Sequence, residues 1–206
     1  MRLAFFVPLV VATSSASLAI TTPVPNDDLA RSIADFSGTG CYGIVSGAIA
    51  MPTIDDPNSV DKSIKTLEGM GLRYGVNDNM MKGLGRPGMS MISRSTMGSK
   101  SFPNGDVLLV VGGPQPGCRV ILLSEPSVNV TEGISERLVR SNWKAVPSMT
   151  GARGPIERRA FVRRDSNGNP YLMNLMTITA PVPDSKLRVF TTTVRIPNGV
   201  QLPEGL

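Results

Sequence analysis

Two cysteines and no histidine decide most of the chemistry open to this 206-residue chain. Without an imidazole there is no Ser-His-Asp triad, no Cys-His dyad, no histidine general base and no histidine zinc ligand. Two thiols alone do not complete a closed structural zinc site either. Cys118 stands in GGPQPGCRVILL, where a loop of glycine and proline gives way to an apolar run, and Cys41 stands in the glycine-rich GTGCYG. The role of the pair depends on compartment. MRLAFFVPLVVATSSASLA sets Arg2 before an apolar run and ends on a small-x-small pattern, which is the layout of a secretory signal peptide over residues 1–19. Export brings thiols into an oxidising environment, so the expectation is a disulfide between Cys41 and Cys118. Such a bridge closes a loop of roughly 80 residues, which chain entropy credits with roughly 4 to 5 kcal/mol.

Other patterns carry weaker chemistry. GTGCYG fits G-x-G-x-x-G, the turn that seats a pyrophosphate where a strand passes into a helix. Here a helical pattern precedes it and no βαβ unit surrounds it, so its glycines are read as structural. Ser59-Val60-Asp61-Lys62 fits the S-x-x-K of β-lactamase-like enzymes, but the accompanying KTG is missing and Ser59 has a ready role as a helix cap. Ser59 with Lys62, or the Asp55-Asp56 pair, are the candidates for a histidine-free enzyme. Asp165-Ser166-Asn167-Gly168-Asn169 imitates the start of a calcium loop, yet Pro170 and Met176 stand where that loop needs glycine and glutamate. Asn-Gly is a turn signal in its own right, so a hairpin is expected there. Met80, Met81, Met89, Met91 and Met97 could offer soft thioethers to Cu(I). The alternation of Met89 and Met91 points instead to one face of a strand filling a core. No metal or other cofactor is expected.

Charge singles out one segment. The formal net charge is +5, and between residues 134 and 164 the bases Arg137, Arg140, Lys144, Arg153, Arg158, Arg159, Arg163 and Arg164 face only Glu136 and Glu157. Arg137, Arg140 and Lys144 fall on neighbouring turns of a predicted helix, while Arg159 and Arg163 share one side of a predicted strand. If helix and strand converge, they form a cationic patch suited to carboxylates or phosphates. Nucleic acid is not the expected partner, because no aromatic side chains are interleaved for base stacking.

These residues must be positioned by a mixed set of elements. Leu29, Ile33 and Phe36 predict a helix that breaks near Gly38, followed by a short piece carrying Cys41, Ile44, Val45 and Ile49. Ser59 caps a second helix with Val60, Ile64 and Leu67 as its stripe, and the glycine-rich stretch to Gly88 is expected as a loop. Strands are expected at 89–95, 107–111 and 118–123. A third helix follows, with Asn129 and Glu132 as a capping box, Ile134, Leu138 and Ala145 facing inward, and Glu136 and Arg140 at ion-pair spacing. ERRAFVRR, PYLMNLMTIT and KLRVFTTTVRI, joined by short turns, predict an antiparallel meander.

The expected fold is therefore a single α+β domain over residues 20–206, an antiparallel sheet of five to six strands with two to three helices on one face, in the order helices-βββ-α-βββ. The apolar run of the signal is shorter than the roughly 20 residues that cross a bilayer, so no membrane span is expected. The functional expectation is a periplasmic or secreted, non-enzymatic binding module of the bacterial cell envelope. Its contact surface would be Arg137, Arg140, Lys144, Arg158, Arg159, Arg163 and Arg164, meeting an anionic envelope component or an acidic protein. A serine/lysine or carboxylate enzyme, and a methionine Cu(I) site, are the alternatives.

Overall fold

The computed structural model describes residues 24–52, 59–92, 95–112, 117–197 and 199–200. Residues 1–19, read as a signal peptide, and the Asp55-Asp56 pair lie outside them. In chain order the elements are β1 (Val24–Pro25), α1 (Asp27–Asp35), a π-helical turn (Phe36–Cys41), α2 (Tyr42–Ser46), α3 (Ser59–Gly69), β2 (Arg73–Tyr74), α4 (Asp78–Ile92), β3 (Ser95–Phe102), β4 (Gly105–Gly112), β5 (Cys118–Ser124), β6 (Val128–Asn129), α5 (Thr131–Arg140), β7 (Lys144–Ala145), a 3-10 turn (Pro147–Met149), β8 (Gly151–Arg153), β9 (Ile156–Arg164), β10 (Pro170–Ile178) and β11 (Leu187–Arg195).

One antiparallel sheet, in the order β2-β3-β4-β5-β11-β10-β9-β7, carries the fold, with β8 paired to β9. Its two meanders, β2 to β5 and β9 to β11, are joined by the antiparallel pairing of β5 with β11. The α+β class and five of the six longer strands, β4, β5, β9, β10 and β11, agree with the sequence pattern. The central strand β5 is buried along its whole length, so its run CRVILLS needs no polar alternation. On β4, Val107 and Leu109 enter the larger core beneath α1, the π-helical turn, α3 and α5, while Leu108 and Val110 turn to the opposite face.

That opposite face holds the main departure from expectation. α4 occupies the stretch read as a glycine-rich loop and the first part of the strand predicted at 89–95; the strand itself begins at Ser95. Asn77 Oδ1 accepts from the Met80 N–H at 2.9 Å at the helix start, and Met80, Leu84 and Ile92 pack against Leu108, Val110, Ile121 and Phe190. The helix therefore covers the face that the other helices leave open. Gly85 interrupts it with φ 63°, and a Cβ there would stand 2.7 Å from the Asp184 carbonyl oxygen, so glycine is required by both conformation and space.

The N-terminal helix also runs on where a break was expected. Through Gly38 the chain widens into a π-helical turn, then resumes as α2 and ends at Ser46, with Gly47 in the left-handed conformation; Ile49 lies past the end. The glycines permit contact: a Cβ on Gly38 would meet Leu138 Cδ2 at 2.9 Å, and the Gly38 carbonyl accepts from Trp143 Nε1 at 3.2 Å. Cys41 and Cys118 form the expected disulfide, with Cα atoms 5.1 Å apart, and no cysteine is free. It ties the π-helical turn to the start of β5. Two apolar assignments are corrected: Val60 is half exposed, and Ala145 is exposed on β7, not on a helix. Among the described residues no helix is long and apolar enough to cross a membrane.

Candidate functional site

Ile134 and Leu138 seat α5 on the sheet, and Trp143 closes its far end. The expected capping box is absent. Val130 is the N-cap and offers no side-chain hydrogen bond, while Asn129 Oδ1 makes only a long 3.4 Å contact with the Thr131 N–H. Glu132 is engaged elsewhere. It accepts from Arg159 on β9, whose Nη1 donates to Oε2 at 2.9 Å and whose Nη2 donates to Oε1. Arg159 also donates from Nε to Glu157 Oε1 at 2.7 Å and from Nη1 to Ser135 Oγ at 3.1 Å. The hydrogen bond from Arg159 is the largest influence holding the Glu132 carboxyl below its ordinary value, against a smaller opposing effect of burial. Arg159 is raised in turn, first by Glu132.

The other predicted basic residues scatter from this point. Alternation along β9 turns Arg159, Phe161 and Arg163 toward the helix layer and Arg158, Ala160, Val162 and Arg164 away from it. Arg163 lies over the Tyr42 ring, 4.2 Å from its centroid. Arg158 donates to Asn174 Oδ1 from Nε and Nη2 at 3.1 and 2.7 Å, and Arg164 donates to the Gly168 carbonyl at 2.9 Å. Arg140 pairs with Glu136 at 3.0 Å, the spacing foreseen along α5, and both are well exposed. Lys144 belongs to β7 at the sheet edge instead of to the helix, and Arg137 is half-buried on α5.

What converges is a groove of about 670 Å³ between α5 and the sheet edge, with Val139, Ala145, Pro147, Ala160 and Phe161 as apolar lining and Arg140, Arg159, Glu136 and Glu157 as its charged groups. Its own charges cancel. Arg137 on α5 and Lys144 on β7 belong to the elements that border it.

The remaining motifs take structural places. Asp165 Oδ1 accepts from the backbone N–H groups of Asn167 and Asn169 at 2.9 and 2.8 Å, and Oδ2 accepts from Asn169 Nδ2 at 2.8 Å and Tyr171 Oη at 3.3 Å. These bonds, the Asn169 side chain first, lower its pKa and build the β9–β10 hairpin turn. Met80, Met81 and Met97 join the apolar cluster under α4, whereas Met89 is exposed and helical, not alternating on a strand; the side chain of Met91 lies outside the described residues. Ser59 opens α3, and Lys62 follows one turn on. Groups of three or more His, Cys, Asp or Glu able to hold a metal are absent among the described residues.

Sequence reasoning missed two buried arginines. Arg119 in CRVILL is 4% exposed and donates to the Gly112 carbonyl at 2.6 Å, and burial lowers its pKa. Arg188 in KLRVF is 6% exposed on β11. A charged residue inside an apolar strand run was the available signal, overlooked because the surplus of charge lay elsewhere. The structure thus defines an α+β protein with an antiparallel sheet and helices on both faces, and a groove of mixed character under one of them. Comparison with protein-family models, with curated proteins and with solved structures gives no match for this chain.

Proposed function

We propose that the protein is a non-enzymatic binding module, exported to the bacterial cell envelope, that meets an anionic envelope component through its basic surface. The observation that carries the reading is the groove between α5 and the sheet edge, an apolar floor with the exposed Arg140 at its rim and Arg137 and Lys144 on the elements that border it. Such a surface suits an amphiphile: the floor takes apolar area, and the outer cations take carboxylate or phosphate oxygens. The disulfide supports export, since such bonds persist in oxidising compartments. Arg159 and Arg163 hold the fold through their own contacts, so the outer cations Arg137, Arg140 and Lys144 are the ones free to be replaced without dismantling the site.

The test is sedimentation with vesicles containing anionic phospholipid, at low and high salt. The expected result is binding at low salt that weakens with added salt and falls at least tenfold in the R137Q/R140Q/K144Q variant. Failure of the wild-type chain to bind at low salt would overturn the reading. A serine/lysine enzyme is tested separately, by labelling of Ser59 with a serine-reactive probe.

A further inference from the structure

At the N-terminal end of α5, a second and smaller cavity of about 220 Å³ is lined by a buried arginine whose hydrogen-bonding groups the fold satisfies only in part. The pairing of β11 with β5 shifts register between Leu187 and Val189, and Arg188 is the extra residue of that bulge. Leu187 and Phe190 both pack on the α4 face and Val189 on the opposite one, so the break in alternation falls at Arg188. Arg188 lines the cavity together with Val130 and Val189 of the helix-covered core.

The guanidinium is almost wholly withdrawn from water. Its Nη1 donates to the Ala180 carbonyl at 3.2 Å, while its Nε is buried and has no hydrogen-bond partner. Among the described residues no carboxylate lies within ion-pairing distance of it. Glu132 and Glu157 line the same cavity, but both are committed to Arg159. The exposed Glu125 carboxylate, bonded to Lys186, feels the Arg188 charge only at a distance, and a buried cation without a direct ion pair is costly. The Arg188 Nε–H is a donor that an acceptor seated in the cavity would satisfy.

Two further features face the same space. The first turn of α5 has no side-chain cap from Val130 and only the long 3.4 Å contact of Asn129 Oδ1 with the Thr131 N–H, so the positive end of a ten-residue helix lies at the cavity. Thr131 and Thr177 meet there through their hydroxyls at 2.9 Å, a polar pair able to turn a hydrogen toward a ligand. The volume is below the roughly 300 Å³ at which drug-sized sites begin, so the ligand is small.

We propose that this cavity is a binding site for a small oxyanion, a carboxylate or phosphate group held by Arg188 and the N-terminus of α5. It is separate from the groove of the preceding section and independent of it. Glu157 lines both spaces, so the Arg159–Glu157 pair stands between them.

The experiment uses the full exported chain in low-salt buffer, titrated with sodium phosphate, with sodium acetate, and with sodium chloride at matched ionic strength. The expected result is a rise in melting temperature of about 5 °C or more at a hundredfold excess over Kd with phosphate or acetate and none with chloride. The preference between the two names the head group. In R188M, which keeps the length and apolar stem of the side chain, the rise should vanish while the circular dichroism spectrum is unchanged. Should R188M fail to fold, R188K is the second variant and should weaken binding about tenfold, since an ammonium lacks the guanidinium fork. No rise with either oxyanion, or an equal rise in the Arg188 variants, overturns the site.

Discussion

Arg159 and Arg188 serve the same layer of helices from strands two places apart in the sheet, and their surroundings are opposite. Arg159 is answered by two carboxylates and a hydroxyl, and its side chain keeps some contact with water. Arg188 is more deeply buried; among the described residues it donates to a single carbonyl and makes no direct ion pair, with the exposed Glu125 carboxylate acting on it only at a distance. The dense run of bases around Arg159 is therefore electrostatically quieter than the isolated base at the bulge. Counting basic residues along a chain locates a surplus of charge; only their partners decide where a field remains to act on a ligand.

Replacing each arginine by methionine sharpens that contrast and carries the largest expected effect. R159M leaves Glu132 and Glu157 facing each other without their cation and loosens α5 from β9, for a loss of about 1–2 kcal/mol after allowance for solvent screening. R188M removes a buried charge that lacks a direct ion pair and keeps apolar contact, so stability in oxyanion-free buffer should hold or rise by about 1 kcal/mol. Urea unfolding of the two variants beside the wild type makes the measurement. Equal destabilisation by both would break the comparison.

Acid should act most directly on the Arg159 site, where a carboxylate is in contact with the guanidinium. The Glu132 carboxyl is depressed in the folded state by Arg159, so its contribution is fully present above the ordinary carboxylate value of about 4.3 and is lost as pH falls through the lower folded value. Surface pairs of this kind contribute about 0.2–1 kcal/mol. The wild type should therefore lose that much more stability than E132Q between pH 5 and roughly pH 3, followed by urea midpoints. Identical acid profiles would mean that the contact between Arg159 and Glu132 is not maintained in solution.

These contrasts also show where the sequence was legible. Strands β4, β5, β9, β10 and β11 were visible because apolar, β-branched runs are bounded by turn residues, and α5 because Ile134 and Leu138 stand at helical spacing. The helix α4 was hidden by Gly83, Gly85 and Gly88, whose low helix propensity is overridden by Met80 and Leu84 packing on the open face of the sheet. Glu132 fits a capping box by local spacing, and a partner 27 residues away takes it instead. Arg188 stood out only as a charge inside an apolar strand run, and the one-residue register shift beside it cannot be read from alternation.

The smallest effect belongs to the pair that the sequence foresaw best. Glu136 and Arg140 meet across one turn of α5 with side chains 64% and 71% exposed, so water and salt screen them and their ordering entropy offsets most of the attraction. E136Q and R140Q should each change stability by no more than about 0.5 kcal/mol, and the coupling between them in a double-mutant cycle should fade as salt is added. Arg140 matters instead at the rim of the groove, where its charge faces outward. A variant that leaves the urea midpoint unchanged and still lowers vesicle binding would separate the use of a charge in recognition from its use in folding. A coupling above 1 kcal/mol that persists in high salt would place this pair with Arg159 and end the distinction between paired structural cations and outward-facing ones.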